Sequence, residues 1–125
     1  MGSVVTVGGA TVVVVGAAYA GKRHIYEHMA ELGARLVVVD EAGHWSEQLV
    51  SDGVASRWIA VPITGDPDVD AAAVRDALSA AAIRPDGVLT FHELRVPVVA
   101  RVAASLGLPG NPIEAVDTAQ QAAHA

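Results

Sequence analysis

With 125 residues, the chain is long enough for one domain with a hydrophobic core and too short for two ordinary ones. Its net charge of −6 excludes the basic stripe that a nucleic-acid surface requires, and the absence of cysteine excludes disulfides and Cys-based zinc sites. Residues 1–20 resemble a secretory signal, but no positive charge precedes the apolar run, and removing it would delete a strand. We therefore expect a cytoplasmic protein that is not bound to a membrane.

Residues 11–22 are the stretch around which the rest of the chain is organised. Four consecutive valines bounded by glycines predict a strand buried on both faces, as at the centre of a parallel sheet. A glycine-rich turn from Gly16 to Gly21 follows, and an amphipathic helix begins after it. Because backbone N–H groups at a helix start face outward, this turn is a candidate site for an anion or a small polar ligand.

Strands and helices alternate along the whole chain. Residues 1–9 are predicted to be a flexible leader before the first strand. The later predicted elements are helix one ending at Gly33, strand two at 35–39, a short helix capped by Ser46, strand three at 57–61, helix three capped by Asp66, strand four at 88–91, helix four at about 97–106 ending at Gly107, a fifth strand at 108–109, a turn at 110–112 and a final helix at 113–125.

This alternation predicts right-handed crossovers and a parallel sheet covered by helices on both faces. The expected fold is α/β, a Rossmann-like three-layer α/β/α sandwich with about five parallel strands, and residues 1–125 form a single domain. The ligand crevice of such a sheet lies beyond the carboxyl ends of the strands, where the strand order reverses. That rule brings residues 16–22, 40–44 and 92–95 to one rim.

Two nucleotide-binding motifs are only partly present in the first loop. A P-loop needs a Ser or Thr hydroxyl for magnesium where this chain has Arg23. The dinucleotide fingerprint fits only with Ala18 in place of its middle glycine, although Asp40 lies about where a ribose-binding acid belongs. A stand-alone Rossmann-like nucleotide- or dinucleotide-binding module therefore stays an alternative function.

Histidines and serines point to no other chemistry. His24 and His28 can share one face of helix one, but no third ligand accompanies them, so we predict no metal site. No serine lies in a G-x-S-x-G elbow, which leaves acyl-enzyme hydrolysis without support. His92 and Glu93 differ because they follow a buried strand at the predicted rim. Glu93 can bind a ligand there or only stabilise the start of helix four.

Three segments carry a resemblance to a known family. They are the first strand with its small-residue loop, DGVLTFHE at 86–93, and VARVAASLGLPGNPIEAVDTAQQ at 99–121. In their order and their amino-acid sequence they resemble the N-terminal, pre-ATP-grasp domain of ATP-grasp carboxylate-amine ligases, in the branch of L-amino-acid ligases and carnosine synthase. Such enzymes convert a carboxylate into an acyl phosphate with ATP, and an amine then attacks it to form an amide, often a dipeptide.

The resemblance implies a division of labour between this chain and ATP-grasp domains downstream of it. ATP and Mg²⁺ are bound by those domains, so this chain holds no cofactor, metal or catalytic residue and is inactive alone. Its expected role is to form one wall of the pocket for a carboxylate or amino-acid substrate. By matching position, the substrate-binding candidates are Gly16, Ala17, Tyr19 and Glu93. Self-association into a homodimer is a further option for its exposed surface.

Overall fold

The computed structural model describes residues 9–109 together with Ile113 and Val116. The elements in chain order are β1 (Thr11–Val15), α1 (Arg23–Glu31), β2 (Arg35–Asp40), α2 (Gln48–Ser51), β3 (Arg57–Ala60), α3 (Pro67–Ala80), β4 (Gly87–Leu89) and α4 (Val96–Ser105). Short 3-10 turns at Ala20–Lys22, Trp45–Glu47 and Glu93–Arg95 lead into α1, α2 and α4. None of the helices in these residues has the length and apolar character that crossing a membrane requires.

The strands of this part of the chain form one parallel sheet in the order β3-β2-β1-β4. Val13 of β1 lies between Val37 of β2 and Val88 of β4. The chain moves outward from β1 through β2 to β3, and α3 then leads back to β4 on the other side of β1. The strand order therefore reverses between β1 and β4, and a ligand crevice is expected at the carboxyl ends of these two strands.

Helices cover both faces of the sheet and bury the valine run of β1. On one face Val13 packs in a cluster with Leu78 of α3 and Val98 of α4. On the opposite face Val14 packs with Tyr26 of α1. The side chains named on both faces are essentially inaccessible to solvent. The predicted strand buried on both faces and the three-layer α/β/α arrangement are therefore confirmed.

The predicted fifth strand at residues 108–109 is wrong, because the described residues contain four strands. The Leu108 N–H donates to the Ala103 carbonyl at 2.8 Å, which closes the end of α4, and Pro109 has no N–H for a strand ladder. Strand four also ends at Leu89 and not at Phe91. The predicted turn at 110–112, most of the final helix and residues 1–8 of the leader lie outside the described residues.

Two helix caps show where short-range sequence rules succeed and fail. Asp66 accepts hydrogen bonds from the N–H groups of Asp68 and Val69, as its position before a proline predicts. Ser46 is not the cap of the short second helix. The His44 side chain caps the 3-10 turn before α2 by accepting from the Ser46 N–H, and Ser46 itself is buried.

A buried carboxylate fixes the connection between β3 and α3. Asp70 is 1% exposed and accepts hydrogen bonds from the N–H and hydroxyl of Thr64 and from the N–H of Gly65. Burial alone raises the pKa of Asp70, but these hydrogen bonds, with a smaller contribution from the charge of Arg95, hold it below its usual value. The carboxylate is therefore charged at neutral pH and anchors the loop to the first turns of α3.

Candidate functional site

An open pocket lies at the carboxyl end of the sheet, where the loops after β1, β2 and β4 meet. Its volume is about 620 Å³, within the range of small-molecule sites. We call this cavity the rim pocket. It is lined by Ala18, Tyr19, Ala20, His44, Trp45, Phe91, His92, Glu93 and Leu94. The rim pocket lies beside the reversal of strand order between β1 and β4, so the topology and the cavity indicate the same place.

Asp40, the last residue of β2, holds the loop after β1 in place. Its Oδ2 accepts from the Ala17 N–H at 2.9 Å, and its Oδ1 accepts from the Glu41 N–H at 2.8 Å. The Tyr26 hydroxyl donates to the Ala17 carbonyl at 2.8 Å. Burial and, to a smaller extent, the charge of Asp40 raise the pKa of Tyr26 well above its usual value, so this hydroxyl remains a donor. Both backbone groups of Ala17 are therefore fixed by buried side chains.

The residues on either side of Ala17 are held just as closely. Ala18 has a left-handed φ of 61°, and its carbonyl accepts from the indole N–H of Trp45 at 2.8 Å. Gly16 has a φ of 83°, and a Cβ at this position would lie 2.8 Å from Cγ of Arg95 and 3.3 Å from Cβ of His92. Glycine is required here for its backbone conformation and for the close approach of the loop after β4.

Aromatic side chains form the walls of the rim pocket. The buried Tyr26 ring packs against Trp45, with centroids 6.4 Å apart, and edge-on against Phe91 at 5.6 Å. These contacts fix both walls from behind. Tyr19, at the lip of the pocket, is 68% exposed, and its ring lies so close over Gly21 that any side chain at Gly21 would collide with it.

The structure divides the predicted substrate-binding residues into two pairs. Tyr19 and Glu93 line the rim pocket, whereas Gly16 and Ala17 are buried behind it. No sequence motif indicated Trp45 or Phe91 as residues of the site. The available signal was their position, because Trp45 directly follows the predicted rim segment 40–44 and Phe91 directly precedes the segment 92–95.

Two backbone N–H groups of the loop after β1 are not free to bind the phosphate of a nucleotide. The Gly16 N–H donates to the Val39 carbonyl at 2.9 Å, and the Ala17 N–H is bound by Asp40, so two donors of a phosphate cradle are already used. Arg23 pairs with Glu27 at 3.1 Å and with Asp52 at 2.8 Å. Within residues 9–109, Ile113 and Val116, no three His, Asp or Glu side chains are placed to hold a metal ion.

Comparison with known proteins identifies the family. The family model described as the ATP-grasp N-terminal domain matches residues 26–110, well over half of the chain. The chain belongs to the ATP-grasp N-terminal domain family. The match includes DGVLTFHE at 86–93, and it confirms the resemblance found in the sequence.

Two solved structures share the fold of this ATP-grasp N-terminal domain. An L-amino acid ligase from Bacillus licheniformis is 22% identical over 87% of this chain and 26% of its own, with a TM-score of 0.68. A phosphoribosylglycinamide synthetase from Anaerococcus prevotii is 19% identical over 85% of this chain and 24% of its own, with a TM-score of 0.62. The chain thus spans about a quarter of each protein. No protein of curated function matches the sequence significantly.

Proposed function

We propose that this ATP-grasp N-terminal domain is the substrate-side wall of a cytoplasmic, ATP-dependent carboxylate-amine ligase that joins amino acids. The observation that carries the proposal is the rim pocket, which lies at the strand-order reversal of a domain in this family. The pocket combines a carboxylate, Glu93, with aromatic walls. The name of one protein with this fold, an L-amino acid ligase, is consistent with an amino acid as substrate.

In such a ligase ATP activates a carboxylate as an acyl phosphate, and attack by an amine on the acyl carbon then releases phosphate and forms the amide. In our proposal the nucleotide and Mg²⁺ are bound by ATP-grasp domains downstream of this chain, which is inactive alone. The residues of this chain bind and orient the substrate. Glu93 accepts hydrogen bonds from the substrate amine, and Tyr19, on the lip, shields it from water.

The contacts of the first loop favour this function over the alternative of a stand-alone dinucleotide-binding module. In that alternative Asp40 would bind a ribose, yet its carboxylate is 8% exposed and accepts from two backbone N–H groups. The middle glycine, which would allow a pyrophosphate to approach the backbone, is replaced by Ala18, whose carbonyl accepts from the indole N–H of Trp45. Both residues are already used to hold the loop.

The test is to assay this chain alone and as part of the protein that contains it with its ATP-grasp portion. Each is supplied with ATP, Mg²⁺ and pairs of amino acids, and ADP and the amide product are measured. Hydroxylamine is added to trap the acyl phosphate as a hydroxamate. We expect ADP, amide and hydroxamate from the longer protein only. Ligation by this chain alone, or micromolar binding of NAD or ATP to it in calorimetry, would contradict the proposal.

A further inference from the structure

Two histidines of the rim pocket cap 3-10 turns in the same way. The Nδ1 of His44 accepts from the Ser46 N–H at 3.3 Å, and the Nδ1 of His92 accepts from the Leu94 N–H at 3.2 Å. A backbone N–H can only donate, so neither Nδ1 carries a proton. A neutral imidazole must then carry its proton on Nε2, which makes each Nε2–H a hydrogen-bond donor.

The surroundings of His44 support this tautomer. The Ser46 hydroxyl lies 2.8 Å from Nδ1 and accepts from the indole N–H of Trp58 at 3.0 Å, so its own hydrogen is available for Nδ1. The Oδ2 of Asp40 lies 3.3 Å from Nδ1 of the same ring. That oxygen accepts from the Ala17 N–H and has room for a second donor, but a proton on Nδ1 directed at it would leave the Ser46 N–H without its acceptor.

Both imidazole rings line the rim pocket beside aromatic walls. Because Nδ1 of each ring is bound to the backbone, Nε2–H lies on the side of the ring away from it. The rim pocket thus offers two N–H donors without a formal positive charge, next to the Trp45 and Phe91 surfaces that Tyr26 fixes from behind. N–H donors suit a carboxylate, and rigid aromatic surfaces suit a large apolar group.

We infer that His44 and His92 bind the carboxylate of an amino-acid substrate through their Nε2–H groups, and that Trp45 and Phe91 select a large apolar or aromatic side chain on it. The inference rests on the proposed function for the assignment of the ligand as an amino acid. It assigns the specificity of the rim pocket to residues outside the set predicted from the sequence.

The first test measures the tautomers directly. Two-bond ¹H–¹⁵N correlation spectra of the labelled chain identify which ring nitrogen of each histidine is protonated. We expect Nε2–H on the neutral rings of His44 and His92. His24 is the internal control, because its Nδ1 lies 2.9 Å from the Gly21 carbonyl and must donate, which predicts the opposite tautomer. A proton on Nδ1 of His44 or His92 would overturn the inference.

The second test separates the cap from the donor. Asparagine is a good N-cap, so His44→Asn and His92→Asn keep the acceptor of each cap and lose the Nε2–H. L-phenylalanine is titrated into the labelled chain, with phenethylamine, which has no carboxylate, and glycine, which has no side chain, as comparison ligands. We expect phenylalanine to bind most tightly, and each Asn variant to raise its Kd about tenfold, the effect of losing one hydrogen bond to a charged group. His28→Asn, on the exposed surface of α1, is the control with an unchanged Kd.

Two outcomes of this titration overturn the inference. One is that phenylalanine leaves the His44 and His92 resonances unshifted, and the other is that phenethylamine binds as tightly as phenylalanine. Neither outcome bears on the proposed function, which the production of ADP and amide decides separately. A ligase that joins only small amino acids would keep the proposed function and exclude the side-chain selectivity inferred here.

Discussion

Replacing Gly16 by alanine is expected to lower the free energy of unfolding by about 3 kcal/mol. Alanine at a φ of 83° costs about 1–2 kcal/mol in backbone conformation alone. Its Cβ would also lie 2.8 Å from Cγ of Arg95 and 3.3 Å from Cβ of His92, so the loop after β4 must move. Urea denaturation followed by circular dichroism measures the change.

Gly43→Ala is the matched control for Gly16→Ala. Gly43 has a φ of 85°, and a Cβ there would meet no atom within 4 Å. Its replacement therefore carries only the conformational cost, and we expect a loss of about 1 kcal/mol. Equal losses for the two variants would show that the contact between the loops after β1 and β4 does not constrain the fold.

Asp40→Asn is expected to destabilise the domain by about 2–3 kcal/mol and to loosen the loop after β1. Both carboxylate oxygens accept from backbone N–H groups, those of Ala17 and Glu41. The asparagine amide has a single acceptor oxygen, so its NH₂ group would face one of these N–H donors with no hydrogen bond between them. Denaturation measures the stability, and amide hydrogen exchange at Ala17 reports on the loop.

The control for Asp40→Asn is Asp52→Asn. Asp52 is 44% exposed and pairs with Arg23 at 2.8 Å at the surface, where an ion pair contributes little. We expect a loss of at most about 1 kcal/mol and unchanged hydrogen exchange at Ala17. If Asp40→Asn cost no more than this control, Asp40 would not be the residue that holds the loop.

The layers of the fold could be predicted from the sequence, but the strand order could not. A run of four valines is buried on both faces in almost any parallel sheet, so β1 followed from local pattern. The order β3-β2-β1-β4 depends on which way α3 leads the chain back, and no local pattern encodes that. The prediction of a fifth strand was wrong because two residues do not specify a strand. In the structure the Leu108 N–H instead donates to the Ala103 carbonyl at the end of α4.

The place of the rim pocket could be predicted from the sequence, but the contacts within its loops could not. Rim residues follow from the rule on carboxyl ends of parallel strands, and Tyr19 and Glu93 indeed line the pocket. Ala17 was expected to offer its N–H to a ligand, whereas Asp40, distant in sequence, takes that N–H in the folded chain. The role of His44 as a cap was missed because propensity rules assign caps to Ser, Thr, Asp and Asn, and Ser46 is only two residues away.

The most direct measurement for the central claim uses Glu93→Gln in the longer ligase that we propose contains this domain, with KM determined separately for the amine substrate and for ATP. Loss of the charge at the rim pocket is expected to raise KM for the amine substrate about tenfold and to leave KM for ATP unchanged. Glu31→Gln, at the exposed end of α1, should change neither value. An unchanged KM for the amine substrate in Glu93→Gln would contradict the account of the rim pocket as a wall of the substrate site.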